Sequence, residues 1–296
     1  MERGEVVFSI VIPTRTRPGQ LADCLEAVAA LEYPRERFEV LVVDDGSEIS
    51  PEGVVAAFRD RLAVVLVAQP HQGPAAARNS GAARAQGKVL AFTDDDCVPD
   101  PGWLQALAAR FAAAPADGVG GKTLNDLPAN LYACASQLIV DVGYDYFNAD
   151  PGQAGFFAAN NLALPADRFR QIGGFDESLG TYEDRDLCNR WRDRGWQMTY
   201  APDALVRHRH RLALRSFWQQ HYRYGRGAWR FHRARASRGS DRLRPDRLRP
   251  DPRFYWQLVR RAAGTGGERR IRLLGLVLLA QGANAAGFLG QALRGL

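Results

Sequence analysis

Short apolar runs and amphipathic stretches alternate along the first third of the chain. The apolar runs have the composition of buried strands and cover residues 6–12, 39–43, 63–67 and 88–92. Between them, apolar positions recur with the period of an α-helix over residues 20–31, 51–61 and 73–86. This alternation predicts an α/β fold, in which an open, mostly parallel, Rossmann-like sheet carries helices on both faces.

The alternation becomes less regular after residue 115. Helical patterns cover residues 101–114, 184–194 and 216–232, and a short strand is predicted near residues 198–200. Two tandem copies of Asp-Arg-Leu-Arg-Pro at residues 241–250 favour an exposed linker at about residues 236–252. We therefore expect a body at residues 1–210 and a helical appendage at residues 211–296.

The last apolar segment, residues 271–293, is predicted to be a helix. A membrane span needs ~20 apolar residues. This segment is interrupted by the polar residues Arg272, Gln281 and Asn284. Spanning a membrane, lying in its interface and packing on the body therefore stay open as alternatives. Small residues spaced four apart can pack helices and make a homodimer a further prediction; the pairs are Ala283 with Gly287 and Ala286 with Gly290.

Charge divides the chain more sharply than its overall value of +6 indicates. Residues 1–206 carry 18 basic and 29 acidic side chains, a net charge of −11, whereas residues 207–296 carry 21 and 4, a net charge of +17. The basic side chains are arginines apart from Lys88 and Lys122. This asymmetry indicates an acidic body with an Arg-rich appendage that faces an anionic partner.

The cysteines and the N-terminus bear on the cellular compartment. The four cysteines form no CxxC pair, which argues against a zinc site or a disulfide framework; they are Cys24, Cys97, Cys134 and Cys188. The first residues lead directly into a strand pattern, with no signal peptide visible. We therefore expect a cytoplasmic protein.

Cys97 directly follows three aspartates that could bind a hard metal ion such as Mg2+. Because a thiol is a poor ligand for Mg2+, Cys97 is assigned to packing.

Three consecutive aspartates, Asp94, Asp95 and Asp96, follow the fourth predicted strand. Carboxylates at the end of a buried strand repel one another and are costly to desolvate, so a cation is expected there. Oxygen ligands suit a hard divalent ion such as Mg2+ or Mn2+. Ligands of open α/β sheets bind beyond the carboxyl ends of the strands, where Pro13-Thr14 and Asp44-Asp45 also fall.

An ordered set of motifs extends across about residues 6–210. These motifs are Ser9-Ile-Val-Ile-Pro-Thr14, Val42-Val43-Asp44-Asp45-Gly46-Ser47, Gly73-Pro-Ala-Ala-Ala-Arg78-Asn79-Ser-Gly81, Phe92-Thr-Asp-Asp-Asp96, Gly173-Gly-Phe-Asp-Glu177, Glu183-Asp184-Arg-Asp-Leu187 and Val206-Arg-His208. In their order and spacing the chain resembles the family 2 glycosyltransferases, which use the GT-A fold, and residues 1–210 are therefore expected to be a GT-A catalytic domain.

The resemblance implies a site for a nucleoside-diphosphate sugar, with UDP- or dTDP-sugars expected. Asp45 would accept a hydrogen bond from the nucleotide base, and Pro13 and Thr14 would line the same pocket. Arg78 and Asn79 would hold the nucleotide or its loop. From the residues alone, Asp45 is also explained as a turn-capping carboxylate and Arg78 as a surface ion pair.

The resemblance also implies a divalent cation, Mn2+ or Mg2+, that bridges the donor diphosphate. Asp96 would bind it, Asp94 would face the ribose or the water ligands of the metal, and Asp95 is grouped with the donor side. His208 resembles a histidine that some members use as an additional ligand. His210 competes for this role, because alternate residues of a strand share one face.

The catalytic base is the remaining role that the family implies. The resemblance assigns it to Asp184, with Glu183 as the neighbour that orients the acceptor or serves instead. From the residues alone, both are also explained as an acidic pair stabilised by a helix N-terminus. The implied reaction is one in-line displacement at the anomeric carbon, with inversion of its configuration.

The appendage indicates where the acceptor comes from. An Arg-rich, aromatic-rich stretch that ends in an apolar helix suits an anionic membrane surface. We therefore expect peripheral membrane contact through residues 211–296, at the inner face of the cell membrane, and a glycan or lipid-linked acceptor. Three alternatives remain, namely a protein that binds nucleic acid or an anionic surface, a nucleotidyltransferase, and a silent scaffold. Nucleic acid is not the expected partner, because the acidic body repels polyanions.

Overall fold

An eight-stranded mixed sheet organises the protein. The computed structural model describes residues 7–115, 117–239 and 251–294. The strands are β1 (Phe8–Thr14), β2 (Phe38–Asp45), β3 (Val64–Gln69), β4 (Val89–Phe92), β5 (Cys97–Pro99), β6 (Gly118–Asn125), β7 (Leu162–Pro165) and β8 (Met198–His208). Their order in the sheet is β3-β2-β1-β4-β7-β6-β8-β5. The four strands predicted in the first third of the chain therefore form one half of the sheet.

Most helices correspond to predicted helical segments, with one clear difference in length, whereas those at residues 131–147 and 166–171 were not predicted. They are α1 (Pro18–Ala29), α2 (Glu52–Ala56), α3 (Pro74–Arg84), α4 (Trp103–Ala113), α5 (Leu131–Phe147), α6 (Ala166–Gln171), α7 (Glu183–Asp193), α8 (Leu214–Ser237), α9 (Pro252–Ala263) and α10 (Gly267–Arg294). The helix predicted at residues 51–61 is wrong beyond Ala56, where the chain turns. These turns bury Phe58 and Leu62, which explains why the apolar spacing imitated a longer helix.

Strand direction changes halfway across the sheet. The pairs β1–β2, β1–β4 and β2–β3 are parallel, whereas β7 runs antiparallel to both β4 and β6. Strand β8 is parallel to β6 and antiparallel to β5. Because β1, β2 and β4 are parallel neighbours, their carboxyl ends open at the same edge of the sheet. That edge holds the polar residues considered below.

Strand β8 is longer than the short strand predicted near residues 198–200. Its register against β6 shifts between Gly121 and Lys122, where the bulge accommodates Pro202. The amide of Asn161 donates to the carbonyls of Lys122 and Ala204, and its Oδ1 accepts from the Trp103 indole at 2.9 Å. This buried amide satisfies the backbone groups that the bulge leaves unpaired.

Two apolar cores cover the two faces of the sheet. One contains Leu21, Leu25, Trp103 and Leu107 from α1 and α4, and the other contains residues of α3, α6 and α7. Burial of these apolar side chains is the main favourable contribution to the stability of the fold. The second core places α3 and α7 on the same face of the sheet.

A third core joins the C-terminal helices to the body. It includes Phe217 of α8, Leu258 of α9, Val277 of α10 and Val142 of α5. A side chain at Gly287 would overlap the Tyr222 carbonyl, so α10 and α8 approach each other closely. The small-residue spacing that includes Gly287 therefore packs helices of the same chain.

Helix α10 is long and apolar enough to cross a membrane by length and composition, with a mean hydropathy of 1.6. Of the 18-residue stretch of α10 that has this hydropathy, only 28% is buried in the protein. The tandem pentapeptides at residues 241–250, and with them most of the predicted linker, lie outside the described residues.

Candidate functional site

The carboxyl ends of β1, β2 and β4 bring the predicted donor-side residues together. Thr14 Oγ1, at the end of β1, donates to Asp95 Oδ2 at 2.7 Å, and Pro13 precedes it, half-buried. Asp44, at the end of β2, accepts a hydrogen bond from the backbone N–H of Ser47 at 3.0 Å. Asp44 thus stabilises the turn after β2.

Asp45 organises the loop between β3 and α3. Its carboxylate accepts from the backbone N–H groups of Gln72 and Gly73 and from the side chain of Gln69. Its Oδ2 also lies 2.7 Å from His71 Nδ1. Burial opposes ionisation, but these hydrogen bonds outweigh it and lower the pKa of Asp45. The side chain is therefore a fixed anion, whose position is determined by the loop that it holds.

Asp95 is the most constrained aspartate of the triplet. It is 3% exposed and accepts from Thr14 and from Arg17 Nη1, the latter at 3.1 Å. Burial raises the pKa of Asp95 to about 6, with a smaller contribution from Asp96 and Asp94 and with Arg17 and Thr14 opposing it. The structure thus directs Asp95 toward β1 and Arg17.

Asp96 and His208 lie close enough together for both to ligate one metal ion. Their Oδ1 and Nε2 atoms lie 3.2 Å apart, because Cys97 is the cross-strand partner of His208 in the β5–β8 pairing. Two ligands of one octahedral ion at ~2.1 Å stand about 3 Å apart, so this spacing fits a divalent cation. Asp96, Cys97 and His208 place their ligand atoms within 4.8 Å of one another. The oxygen and imidazole donors suit Mn2+, and the buried thiol of Cys97 suits packing.

Basic side chains surround Asp96 and favour its ionised form. Burial opposes ionisation of Asp96, but His208 and Arg17 hold its pKa well below the usual range. Asp96 in turn raises the pKa of His208 against the effect of burial. His210 stacks on His208 at 4.9 Å between ring centroids, and burial and His208 lower its pKa to about 4. His208 is thus the histidine that contacts Asp96, and His210 lies beside it.

Arg78 joins the aspartate triplet to α7. Its guanidinium contacts Asp94 Oδ1 at 2.6 Å and Glu183 Oε1 at 2.9 Å, and the residue is 5% exposed. Arg78 is therefore a buried bridge, and the alternative of a surface ion pair is wrong. Asp94 and Glu183 are brought together although 89 positions separate them in the chain.

Asn79 has a different set of contacts from its neighbour. Its amide donates to the Phe175 carbonyl at 2.9 Å and to Glu177 Oε1 at 2.8 Å, and its Oδ1 accepts from the Phe175 N–H. These contacts fix the loop that contains Gly173 and Gly174, both at positive φ. The structure therefore connects Asn79 with the loop that leads toward α7.

Asp184 lies in the first turn of α7, next to Glu183. Its Oδ1 accepts from the N–H of Arg185 at 2.7 Å, and its Oδ2 accepts from Ala159 N–H at 3.3 Å. Burial and the neighbouring Glu183 raise the pKa of Asp184 to about 7, and these hydrogen bonds oppose the shift. Tyr182, immediately before the helix, has φ of 72°. Left-handed backbone conformations are uncommon for residues other than glycine, and they are found most often at functional sites.

Two site residues were not predicted from the sequence. Arg17 supplies the positive charge that Asp95 and Asp96 share, and His71 contacts both Asp45 and Arg15 Nη1, the latter at 3.1 Å. A basic residue directly before the first helix was the available signal for Arg17. His71 follows the third strand and had no distinguishing pattern.

The sequence matches two family profiles. The profile of glycosyl transferase family 2 matches residues 9–130, and that of glycosyl transferase family group 2 matches residues 89–281, which is more than half of the chain. The chain is 29% identical to glycosyltransferase AglE of Haloferax volcanii over 74% of this chain and 72% of that protein. It is 30% identical to the pre-mycofactocin glycosyltransferase of Mycobacterium tuberculosis over 91% of this chain, but spans only 56% of that protein.

Solved structures with the same architecture include two that contain nucleotide sugars. The mannosyltransferase PcManGT of Pyrobaculum calidifontis, in complex with GDP-Man and Mn2+, aligns with a TM-score of 0.67 at 19% identity, covering 96% of this chain and 86% of that one. TarS 1–349 of S. aureus in complex with UDP-GlcNAc aligns with a TM-score of 0.55 at 16% identity, covering 96% of this chain and 89% of that one. These similarities show a GT-A-like fold.

Proposed function

The chain belongs to glycosyltransferase family 2, and from its site we propose that it moves a sugar from a nucleoside-diphosphate sugar to an acceptor hydroxyl in a metal-dependent, inverting reaction. The observation that carries this proposal is the Arg78 bridge between Asp94 and Glu183. This bridge sets the aspartate triplet beside the first turn of α7, which contains Asp184. The proposed metal site and the proposed base are thus adjacent.

We assign the donor nucleotide to the carboxyl ends of β1 and β2. Asp45 is ionised and faces the loop at Gln72-Gly73, and Pro13 and Thr14 border the same edge. A UDP- or dTDP-sugar is the proposed donor, since a carboxylate in this position accepts a hydrogen bond from the N–H of a pyrimidine base.

We propose that Asp96 and His208 hold a divalent cation, with Mn2+ preferred because one ligand is an imidazole. When bound, this ion would neutralise negative charge on the donor diphosphate. Arg17 is 48% exposed at its side chain and contacts Asp95 and Asp96 from the solvent side. Its half-exposed guanidinium is proposed to contact the donor diphosphate as well. Asp94, held by Arg78, is proposed to face the ribose or the water ligands of the metal.

Asp184 is the proposed general base. Glu183 is engaged by Arg78, whereas Asp184 contacts only backbone N–H groups among the hydrogen bonds of the described residues. Its raised pKa, about 7, suits proton transfer near neutral pH. The acceptor oxygen forms a bond to the anomeric carbon as the bond to the diphosphate oxygen breaks, and the acceptor proton goes to Asp184. Attack from the side opposite the leaving group inverts the anomeric configuration.

The surface of the C-terminal helices supports the proposal that the acceptor is membrane-associated. The outer face of α10 carries no charged residue between Arg272 and Arg294, and it exposes Ile271, Leu278 and Leu289. These positions are 7 and 11 residues apart and so lie along one line of the helix. Helix α9 adds further exposed groups, namely arginines and Trp256. A peripheral position on the inner face of an anionic membrane, with a lipid-linked or cell-envelope glycan as acceptor, fits this surface. A homodimer stays a prediction.

A thermal-shift screen tests the proposal. Nucleoside diphosphates and their sugars are added with and without Mn2+ to the wild type, to Asp96→Ala and to Asp203→Ala as a surface control. Saturation at a hundredfold excess over Kd raises stability by about 2.7 kcal/mol. We expect a metal-dependent shift for one nucleotide that is lost only in Asp96→Ala. The absence of any shift would contradict the donor site and favour the scaffold or anionic-surface alternatives.

A further inference from the structure

Tyr224 occupies an unexpected position on α8. It lies seven residues after Phe217 and seven before Phe231, so all three project from the same face of the helix. Phe217 and Phe231 are 0% and 2% exposed, whereas Tyr224 is 38% exposed. An inward-facing side chain with this accessibility must border an opening between α8 and the body.

Contacts on either side of Tyr224 define what surrounds the opening. On one side, His221 Nε2 lies 3.3 Å from Ser136 Oγ of α5. On the other, Thr181 Oγ1 donates to the Arg223 carbonyl at 3.1 Å, and a side chain at Gly227 would overlap Thr181. Helix α8 thus touches α5 and the segment at Thr181, and the opening lies between these contacts.

The segment that bounds the opening leads directly into the proposed base. Tyr182 packs its ring 6.1 Å from that of Phe231, and Glu183 and Asp184 follow it. Burial and the nearby charges of Asp184 and Glu183 raise the pKa of Tyr224. Because Arg223 and Gly227 both contact Thr181, the partly exposed ring of Tyr224 lies on the face of α8 that meets the segment leading into α7.

We propose that Tyr224 forms a wall of the acceptor subsite and positions a sugar residue of the acceptor over Asp184. A tyrosine presents an apolar ring face, which packs on the C–H face of a sugar, and a hydroxyl that forms a hydrogen bond with it. This inference rests on the proposed function and extends it, since it gives a helix outside the predicted catalytic body a direct part in acceptor binding. Tyr224 is a positioning residue, and the proton transfer stays with Asp184.

Thiol labelling tests whether the cleft exists. In a Cys134→Ser background the remaining native cysteines are buried. We expect Tyr224→Cys to react with a bulky methanethiosulfonate reagent and, once labelled, to lose at least tenfold in donor turnover, measured as nucleoside diphosphate release. Reduction of the mixed disulfide restores turnover, and the nucleotide thermal shift persists throughout. Tyr222→Cys is the matched control, because Tyr222 faces Gly290 of α10, and its labelling leaves turnover unchanged.

Each outcome of the labelling experiment decides one question. An unreactive thiol at Tyr224→Cys, or a labelled protein with unchanged turnover, overturns the acceptor-wall proposal. A wild type that binds no nucleotide and turns over no donor contradicts the proposed function instead, while the reactivity of the thiol still decides whether the cleft is open.

Steady-state kinetics separate positioning from a merely structural role. With p-nitrophenyl glycosides as acceptor probes, Tyr224→Phe should raise the acceptor KM about 3- to 10-fold, the effect of one lost hydrogen bond, with donor KM unchanged. Tyr224→Ala should raise it further, with Tyr224→Phe a partial rescue. An acceptor KM that is equal in all three proteins, or a parallel rise in donor KM, overturns the proposal.

Discussion

The guanidinium of Arg78 lies 2.9 Å from the carboxylate of Glu183, and both residues are at least nine-tenths buried. The same guanidinium also pairs with Asp94. The guanidinium therefore compensates the charge of two carboxylates that belong to different parts of the chain. Because Glu183 is paired with Arg78, Asp184 is left as the proposed base.

Breaking this buried pair should destabilise the protein. Arg78→Ala leaves Glu183 and Asp94 without their shared cation, and loss of one partner of a buried pair costs about 3–5 kcal/mol. Denaturant unfolding measures the change. Arg59→Ala, which removes a surface pair with Glu52, should cost no more than about 1 kcal/mol. Similar losses in the two variants would contradict the buried bridge.

Asp184→Asn should reduce kcat by about 10²- to 10⁴-fold, which is the usual contribution of a general base. The reason is that an amide cannot take the proton from the hydroxyl of the acceptor substrate. Nucleotide binding, measured by thermal shift, should be retained. Asp193→Asn, at the far end of α7, is the control and should leave kcat within twofold of wild type. An Asp184→Asn enzyme with near-normal turnover would assign the base to another residue.

Turnover should depend on pH through Asp184. Its folded-state pKa is about 7, raised from 3.8, so the basic form accumulates as the pH rises from 6 to 8 and kcat should rise with it. The free energy of unfolding depends on pH with the opposite sign. Because the folded state retains the proton between about pH 4 and 7, the contribution of Asp184 to stability falls as the pH rises through this range. Asp184→Asn should therefore show less loss of stability from pH 5 to pH 8 than wild type. A pH-independent kcat would contradict this assignment.

Metal affinity should fall in acid. His208 must lose its proton to bind a metal, and Asp96 raises the pKa of His208 above 6.5. Calorimetric titration with Mn2+ should thus give weaker binding at pH 6 than at pH 8. His208→Ala should weaken binding at pH 8 and reduce the pH dependence, whereas His232→Ala on α8 should do neither. Equal affinities for wild type and His208→Ala would exclude the imidazole as a ligand.

The exposed face of α10 should bind anionic vesicles. Leu278 is 67% exposed, and burial of a leucine side chain contributes about 1.5–3 kcal/mol, so Leu278→Glu should weaken vesicle binding about tenfold or more. Co-sedimentation with phosphatidylserine-containing vesicles measures this. Val65→Glu, an exposed apolar position in the acidic body, is the matched control. Equal binding of both variants would place the contact elsewhere.

Half of the sheet and the location of the site were predictable from the sequence. The apolar runs that became β1 to β4 are local signals, and parallel strands place their following residues at one edge whatever the rest of the chain does. The prediction that Thr14, Asp45 and Asp94 share an edge therefore needed no knowledge of distant contacts.

The pairing of charges was not predictable in this way. Arg78 and Glu183 are 105 residues apart, and Asp96 meets His208 only because β5 pairs with β8. The length of β8 was also underestimated, since Pro202 interrupts the strand pattern and is tolerated only because Asn161, on a distant segment, satisfies the bulge.

By itself, the sequence determined the strand–helix alternation, the edge that carries the polar residues and the family resemblance, because each depends on order and spacing along the chain. Only the tertiary structure decided which cation meets which carboxylate, that α8 to α10 share a core with α5, and that Tyr224 stays partly exposed on α8. Those features arise from packing between segments far apart in sequence, and no local pattern specifies which distant surface a helix will cover.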